Sequence, residues 1–281
     1  MGPLAIVCGG GAFPRAVADA VRRRGMPYVL FAVRGLTDPA AVDGHPHEWI
    51  HLGNFGRLER LRLQHGCNDI VSVGTVYRPR LRDIRLDWLT FKLLARHYSV
   101  LQGGDNRVLS GFAGLFEQYG WRVHGVHEVA PEILVPAGVL GRHRPDAPAE
   151  RDIALARAVI AALGPHDVGQ AAVAVKGYVV AVEAAEGTAA MLERVAELRR
   201  NGRVRAAGGV LVKAPKPGQD RRLDLPAIGV DTVTQAAAAG LKGIAVEAGG
   251  TITIDPNGLI RAADEAGLFL FAFEPDAGAS R

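Results

Sequence analysis

The chain has 281 residues, 48% of them hydrophobic and 22% charged, and a net charge of +4. That length exceeds what one hydrophobic core ordinarily serves and predicts two domains. The mild basic balance suits an anionic small molecule or an anionic membrane surface. With aromatics at 6% and no basic stripe interleaved with them, it argues against nucleic acid.

No apolar run approaches the roughly 18 residues of a membrane span. The N-terminus, MGPLAIVCGGGAFP, lacks the basic region of a signal peptide. Cys8 and Cys67 are isolated in apolar surroundings and fit reduced, buried thiols better than a disulfide framework or a metal site. These features together predict a cytoplasmic protein.

Taken in chain order, residues 4–8 read as a buried strand, followed by Gly9, Gly10 and Gly11. Residues 14–24 form a helix with Pro14 in its first turn, and 28–33 form a second strand. A short helix over 58–65 ends at Gly66, and 70–73 is a third strand. Residues 87–101 and 106–119 read as helices, the second capped by Asp105, and 121–126 is another strand. This alternation predicts a parallel sheet covered on both faces.

Periodicity fails over PAGVLGRHRPDAP, and 135–149 is the predicted linker between an N-terminal domain over 1–134 and a C-terminal α/β domain over 150–281. The second half opens with a helix at 150–163. Strands at 171–175 and 178–183 follow, joined by Lys176-Gly177 as a two-residue hairpin turn. A helix capped by Thr188 runs to about 200 and a strand covers 210–214. A small-residue helix spans 232–239, strands lie at 243–246 and 251–254, a helix at 256–266 and a last strand at 268–273.

A strand, three glycines and a helix start can form an anion site, because unpartnered amides point out of a helix N-terminus and glycines admit a phosphate. The dinucleotide fingerprint is met only in part. Gly9 and Gly11 fit its first two glycines, but Pro14 stands at the third, and the second strand ends at Val33-Arg34 without an acidic residue for a ribose. The loop reads either as a phosphate or ribose contact or as a tight turn without a ligand. No HExxH, CxxC or GxSxG pattern is present, which argues against the common zinc and serine-hydrolase designs.

Along nearly its whole length the sequence resembles the UDP-2,3-diacylglucosamine pyrophosphatases of the LpxI type. The resemblance is carried by GGGAFP at 9–14, LGNFGRLE at 52–59, GTVYRP at 74–79, QGGDNRVL at 102–109 and HEVAPEILVP at 127–136. It continues through DVGQAAVAV at 167–175, VEAAEGTAAMLERV at 182–195, VLVKAPKPGQD at 210–220 and LDLPAIGVDTV at 223–233. It implies a Rossmann-like parallel-sheet N-terminal domain plus a C-terminal α/β domain, a homodimer, and a substrate held between the domains. It also implies magnesium-assisted hydrolysis of UDP-2,3-diacylglucosamine to UMP and 2,3-diacylglucosamine 1-phosphate, a step of lipid A biosynthesis.

Such hydrolysis needs neutralised phosphate charge, a positioned water and a stabilised leaving group, which hard oxygen ligands on Mg²⁺ or Mn²⁺ and adjacent Lys or Arg can supply. Asp224, in RRLDLPAIGV, is the first candidate; the resemblance places a functional aspartate there, and the plain alternative is a pair with Arg222 or a turn cap. Glu183 and Glu186 flank a strand end and a helix start, where they can hold a metal or simply cap. The expected catalytic set is Asp224, Lys213 and Glu186, with Asp224, Glu183 and Glu186 around the metal.

Lys213 ends a buried strand, which is unusual for a lysine unless it meets an anion. Lys216 follows in a proline-stiffened loop. Gly10, Gly11, Ala12, Thr75, Arg78, Glu128, Gln170, Gly187, Thr188 and Lys216 are the expected substrate contacts. Trp88, Leu89, Phe91, Leu93 and Leu94 read as core more readily than as a lipid groove. The family's lipid substrate and the basic balance suggest peripheral contact with the inner membrane. A nicotinamide-dependent oxidoreductase and a non-catalytic nucleotide-binding module are the competing classes.

Overall fold

The computed structural model describes residues 2–75, 85–96 and 105–275, except for the side chains of 94–96 and 105–108. The chain forms two compact units, Met1–Glu132 and Ile133–Arg281.

In the first unit, β1 (Leu4–Cys8), β2 (Tyr28–Val33), β3 (His47–Ile50), β4 (Asp69–Val73) and β5 (Arg122–His124) form a wholly parallel sheet in the order β3-β2-β1-β4-β5. This is the Rossmann-like arrangement that the resemblance implies. β1 and β2 are continuous apolar runs because helices cover both faces. The edge strand β3, HEWI, was not expected; its half-exposed polar residues hide the period.

α1 (Phe13–Arg23) carries Pro14 in its first turn. α2 is the short turn Pro39–Val42, and α3 (Phe55–His65) starts three residues before the predicted helix, on an Asn54 cap, and stops at the left-handed Gly66. α4 spans Trp88–Arg96 and α5 Asp105–Gln118. The predicted 121–126 strand stops early: Gly125 turns the chain into α6 (Val126–Val129).

Leu93 is buried and Leu89 packs on the core, but Trp88 and Phe91 face outward, stacked with ring centroids 5.8 Å apart. The apolar stretch is therefore only half core. Cys8 and Cys67 are free and buried, and burial pushes their thiols up to about 12 and about 11.

The second unit holds a mixed sheet ordered β6-β11-β10-β9-β7-β8, from β6 (Gly138–Val139), β7 (Ala171–Val175), β8 (Tyr178–Val182), β9 (Val210–Lys213), β10 (Gly243–Glu247) and β11 (Phe269–Phe273). β9, β10 and β11 are parallel, whereas β7 runs antiparallel to both β9 and β8. The 135–149 segment is not a free linker. β6 pairs with β11 inside this unit, and α7 (Ala147–Leu163) begins within it on an Asp146 cap. Proline and glycine there mark a strand edge and a helix start, which a periodicity reading takes for a connector.

Side-chain alternation explains the layers. Val173, Leu211, Ile244 and Leu270 point to one face, under α8 (Gly187–Arg200), α9 (Val230–Ala238) and α10 (Pro256–Glu265). Ala172, Ala174, Val210, Val212 and Ala245 point to the other, where α7 lays Ile153, Ala156 and Ile160. The predicted strand at 251–254 is instead irregular, with isolated bridges from Ile252 to Leu134 and Ala227.

The expected hairpin between β7 and β8 forms, with Lys176 and Gly177 both left-handed (φ 51° and 77°), as its twist requires. The buried Asp152 carboxylate accepts both turn amides, Lys176 N at 2.8 Å and Gly177 N at 2.6 Å. Asp152→Ala strands two amides and is expected to cost roughly 3 kcal/mol, read as a fall in Tm of about 5–10 °C. An unchanged melting curve would contradict this role.

Candidate active site

In the first unit the glycine loop is clasped to the end of β4. Gly9 N donates to Val73 O (2.7 Å), and Gly10 and Thr75 exchange backbone bonds (2.9 and 3.0 Å). A Cβ on Gly9 would lie 2.8 Å from Thr75 O, and one on Gly74 would lie 2.6 Å from Gly10 O and 3.1 Å from Pro14 Cγ. These glycines are thus required by backbone approach, whatever else binds. The amides of Gly9 and Gly10 are committed to Val73 and Thr75, so of the predicted triad only Gly11 and Ala12 extend past the clasp.

At the end of β2, Thr37 Oγ1 accepts from Val33 N (2.9 Å) and donates to Cys8 O (2.5 Å). A threonine turn thus occupies the place where a dinucleotide fold sets its acidic ribose ligand. Arg78 lies outside the described residues.

Glu128 is exposed and belongs to a different arrangement. It accepts from Gly125 N (3.0 Å) and meets His124 Nδ1 (2.9 Å), while His124 Nε2 meets Asp69 (2.8 Å). Burial works against the charged imidazole, but Glu128 and Asp69 outweigh it and raise its pKa.

Arg122 grips Asp69 with two bonds of 2.7 and 2.6 Å. That grip, opposed by burial and helped by His124, holds the Asp69 carboxyl down from 3.8 to about 2. A depressed carboxyl contributes stability that is present above its unfolded value of about 3.9 and lost as pH falls through about 2. Asp69→Asn is therefore expected to cost about 2 kcal/mol at pH 7, and the gap to wild type should close as pH falls from 4 towards 2. Urea titrations at pH 7 and pH 3 test this; a gap independent of pH would refute it.

In the second unit most of the predicted residues gather at one sheet edge. β9 and β10 end side by side at Lys213 and Glu247. β8 ends just before Glu183, and antiparallel β7 starts just after Gln170, opposite Lys213. Parallel strands present ligands at this carboxyl edge.

Glu183 is buried. It accepts from Gln170 N (3.0 Å) and from the Thr188 hydroxyl (2.8 Å). Gly169 passes so close that a Cβ there would sit 2.0 Å from Glu183 O, which accounts for a glycine before Gln170. Gln170 Oε1 is buried without a hydrogen-bond partner among the described residues.

Lys213 is 6% exposed and donates to Ala227 O at 2.9 Å. Burial lowers its pKa, while Glu183 and Asp224 act on it the other way and favour the charged form. A desolvated ammonium is one that a phosphate oxygen can meet with little competition from water.

Asp224 is held by Gln219, whose Nε2 donates to Asp224 Oδ2 at 2.6 Å. The Arg222 fork lies on Asp220, with bonds of 3.0 and 2.8 Å.

The remaining predicted residues of this unit have partners or turns of their own. Glu186 is exposed and pairs with Arg194 (2.7 Å), its second oxygen taking Ala184 N (3.1 Å). It is the N-cap residue of α8 without a side-chain cap bond, and Thr188 is the second residue of the helix instead of its cap. Lys216 is tied to Asp167. Gly187 is the left-handed residue (φ 80°) that turns the chain into α8.

Asp224, Glu183 and Glu186 do not form a three-ligand cage. Among the described residues no three His, Cys, Asp or Glu side chains come together for a metal. Hard divalent cations of the magnesium type often take one or two carboxylates and complete their shell with water and substrate phosphates, and that looser demand is one Asp224 fits. Sequence reasoning missed Gln219, Arg221 and Glu247. Arg221 pairs with Glu247 at 2.8 Å. Glu247 carried a usable signal, a charge closing the apolar run GIAVE just as Lys213 closes VLVK.

A Rossmann-like unit joined in one chain to an α/β unit whose sheet edge groups a buried lysine with two carboxylates defines a two-domain α/β protein suited to anionic, phosphate-bearing ligands. Comparison with known proteins narrows this class: the chain belongs to the LpxI family. The LpxI N-terminal domain matches residues 3–133 and the LpxI C-terminal domain residues 136–271. The chain is 38% identical over 277 residues to "UDP-2,3-diacylglucosamine pyrophosphatase LpxI" of Caulobacter vibrioides, an alignment covering 98% of this chain and 99% of that one. Among the described residues no helix is long and apolar enough to cross a membrane.

Proposed function

We propose that the protein hydrolyses the pyrophosphate bond of UDP-2,3-diacylglucosamine, releasing UMP and 2,3-diacylglucosamine 1-phosphate in lipid A synthesis. The observation that carries this reading is near end-to-end similarity to a pyrophosphatase of that name, in a chain whose second unit buries Lys213 at the carboxyl edge of its sheet.

In this reading a water oxygen joins one phosphorus, the bond to the bridging oxygen breaks, and that oxygen leaves on the other phosphate. Lys213 donates to a phosphate oxygen and offsets charge that grows as the bridge breaks. Glu183, fixed by Gln170 N and Thr188, favours the charged form of Lys213 against the burial that lowers its pKa. Asp224 is the carboxylate assigned to hold magnesium, which when bound would neutralise the diphosphate. Glu186, paired with Arg194, stands at the turn into α8.

Incubation of the purified protein with UDP-2,3-diacylglucosamine and Mg²⁺, followed by chromatography of the nucleotide products, should show UMP appearing in step with substrate loss. Absence of UMP with Mg²⁺ and with Mn²⁺, at enzyme concentrations near that of the substrate, would sink the reading.

A further inference from the structure

We propose that Gln219 is a positioning residue that sets the direction of the Asp224 carboxylate; the inference rests on the reading of Asp224 given above. Gln219 is 8% exposed and sits within the loop that links Lys213 to Asp224. Its side-chain orientation is not ambiguous. Oε1 accepts from Lys216 N (2.8 Å), a group that can only donate, so the NH₂ must point the other way. Nε2 then reaches two atoms of one residue, Asp224 Oδ2 at 2.6 Å and Asp224 O at 3.2 Å.

A bond to the side chain alone would leave the carboxylate free to swing about its own backbone. Two bonds from one nitrogen, to side chain and main chain together, fix the side-chain torsions and the carboxylate plane, and with them the direction of Oδ1. The Gln219 main chain is anchored as well, its N donating to Lys216 O at 3.0 Å. A neutral amide also suits the task chemically. It holds a carboxylate without cancelling its charge, whereas an Arg or Lys in the same place would compete with a cation or phosphate for that charge. Lys216, expected to face an anion, instead serves through its backbone amide as the strut that orients Gln219.

Displacing a reacting group by about 1 Å can cost 10²-fold in rate, so the effect should appear in kcat. Gln219→Glu keeps the acceptor for Lys216 N and loses the donor to Asp224. Gln219→Met keeps the bulk and loses both. Each is expected to lower kcat about 10- to 100-fold with KM within about threefold, and Gln219→Met, which adds no charge beside Asp224, to remain folded by circular dichroism. Crystal structures of wild type and Gln219→Met should show the Asp224 carboxylate rotated in the variant. Wild-type kcat in Gln219→Met, or an unmoved Asp224 in that variant, overturns the proposal while leaving the pyrophosphatase reading intact. A wild-type protein that releases no UMP overturns that reading, and the crystal comparison then still decides whether Gln219 orients Asp224.

Discussion

Asp224→Asn should bind UDP-2,3-diacylglucosamine with an affinity near that of the wild type and hydrolyse it about 10³-fold more slowly. Asparagine preserves the volume of the side chain and can still accept from Gln219 Nε2, so the loop from Lys213 to Asp224 keeps its ties. What it removes is the full negative charge and the hard anionic oxygen. Those matter most at the transition state, where charge moves onto the bridging oxygen and a cation must be held against the diphosphate. The loss therefore belongs in kcat. Calorimetric binding in parallel with single-turnover UMP release separates the two effects. A variant that turns over within threefold of wild type would remove Asp224 from the chemistry.

Lys213→Met is the second large effect, expected at about 10²- to 10³-fold in kcat. Methionine matches the apolar stem at the end of β9 but deletes a buried ammonium on which the charges of Glu183 and Asp224 act. The Glu183 carboxylate retains the Gln170 amide and the Thr188 hydroxyl, which should keep the protein folded. A circular-dichroism melt at the assay pH checks that point independently of rate.

Lys213→Arg should rescue little. A planar guanidinium cannot occupy the point-charge position of an ammonium that also donates to Ala227 O at 2.9 Å in a site 6% open to solvent. Restoration of half or more of the activity by arginine would show that only charge is needed there, and that the fixed geometry of this lysine is unimportant.

Much of the fold was legible before any coordinates. LAIVC, YVLFAV and AAVAV are apolar runs too short for helices and bounded by glycine, lysine or polar turns, so strands over 4–8, 28–33 and 171–175 follow from burial alone. Pro14 and Gly66 marked a helix start and a helix stop through their backbone restrictions. Strand 251–254 failed because Thr251 and Thr253 are buried on an irregular segment whose bonds go to Ile133, Val135 and Pro226. The run of β-branched residues mimics a strand there, but among the described residues it makes only isolated bridges. The linker failed for the opposite reason: two residues of β6 are too few to display a period, and they are strand only because the edge of β11 is there to pair with them.

The site divides in the same way. A lysine closing VLVK and a glutamate after YVVAV are anomalies that the sequence displays by itself, because a charge at the end of a fully apolar strand must find a partner or an anion. Which partner it finds depends on strand order, and strand order is a non-local outcome of packing. Only the tertiary structure set β7 antiparallel against β9, and so brought Gln170 and Glu183 to the edge where Lys213 ends. It also turned Glu186 to Arg194, gave Lys216 to Asp167 and laid Gln219 against Asp224. Composition and spacing determine which charges the chain must solvate or pair. Distances between residues far apart in sequence decide the pairing, because an ion pair or hydrogen bond forms only within a few ångströms and only in the right direction.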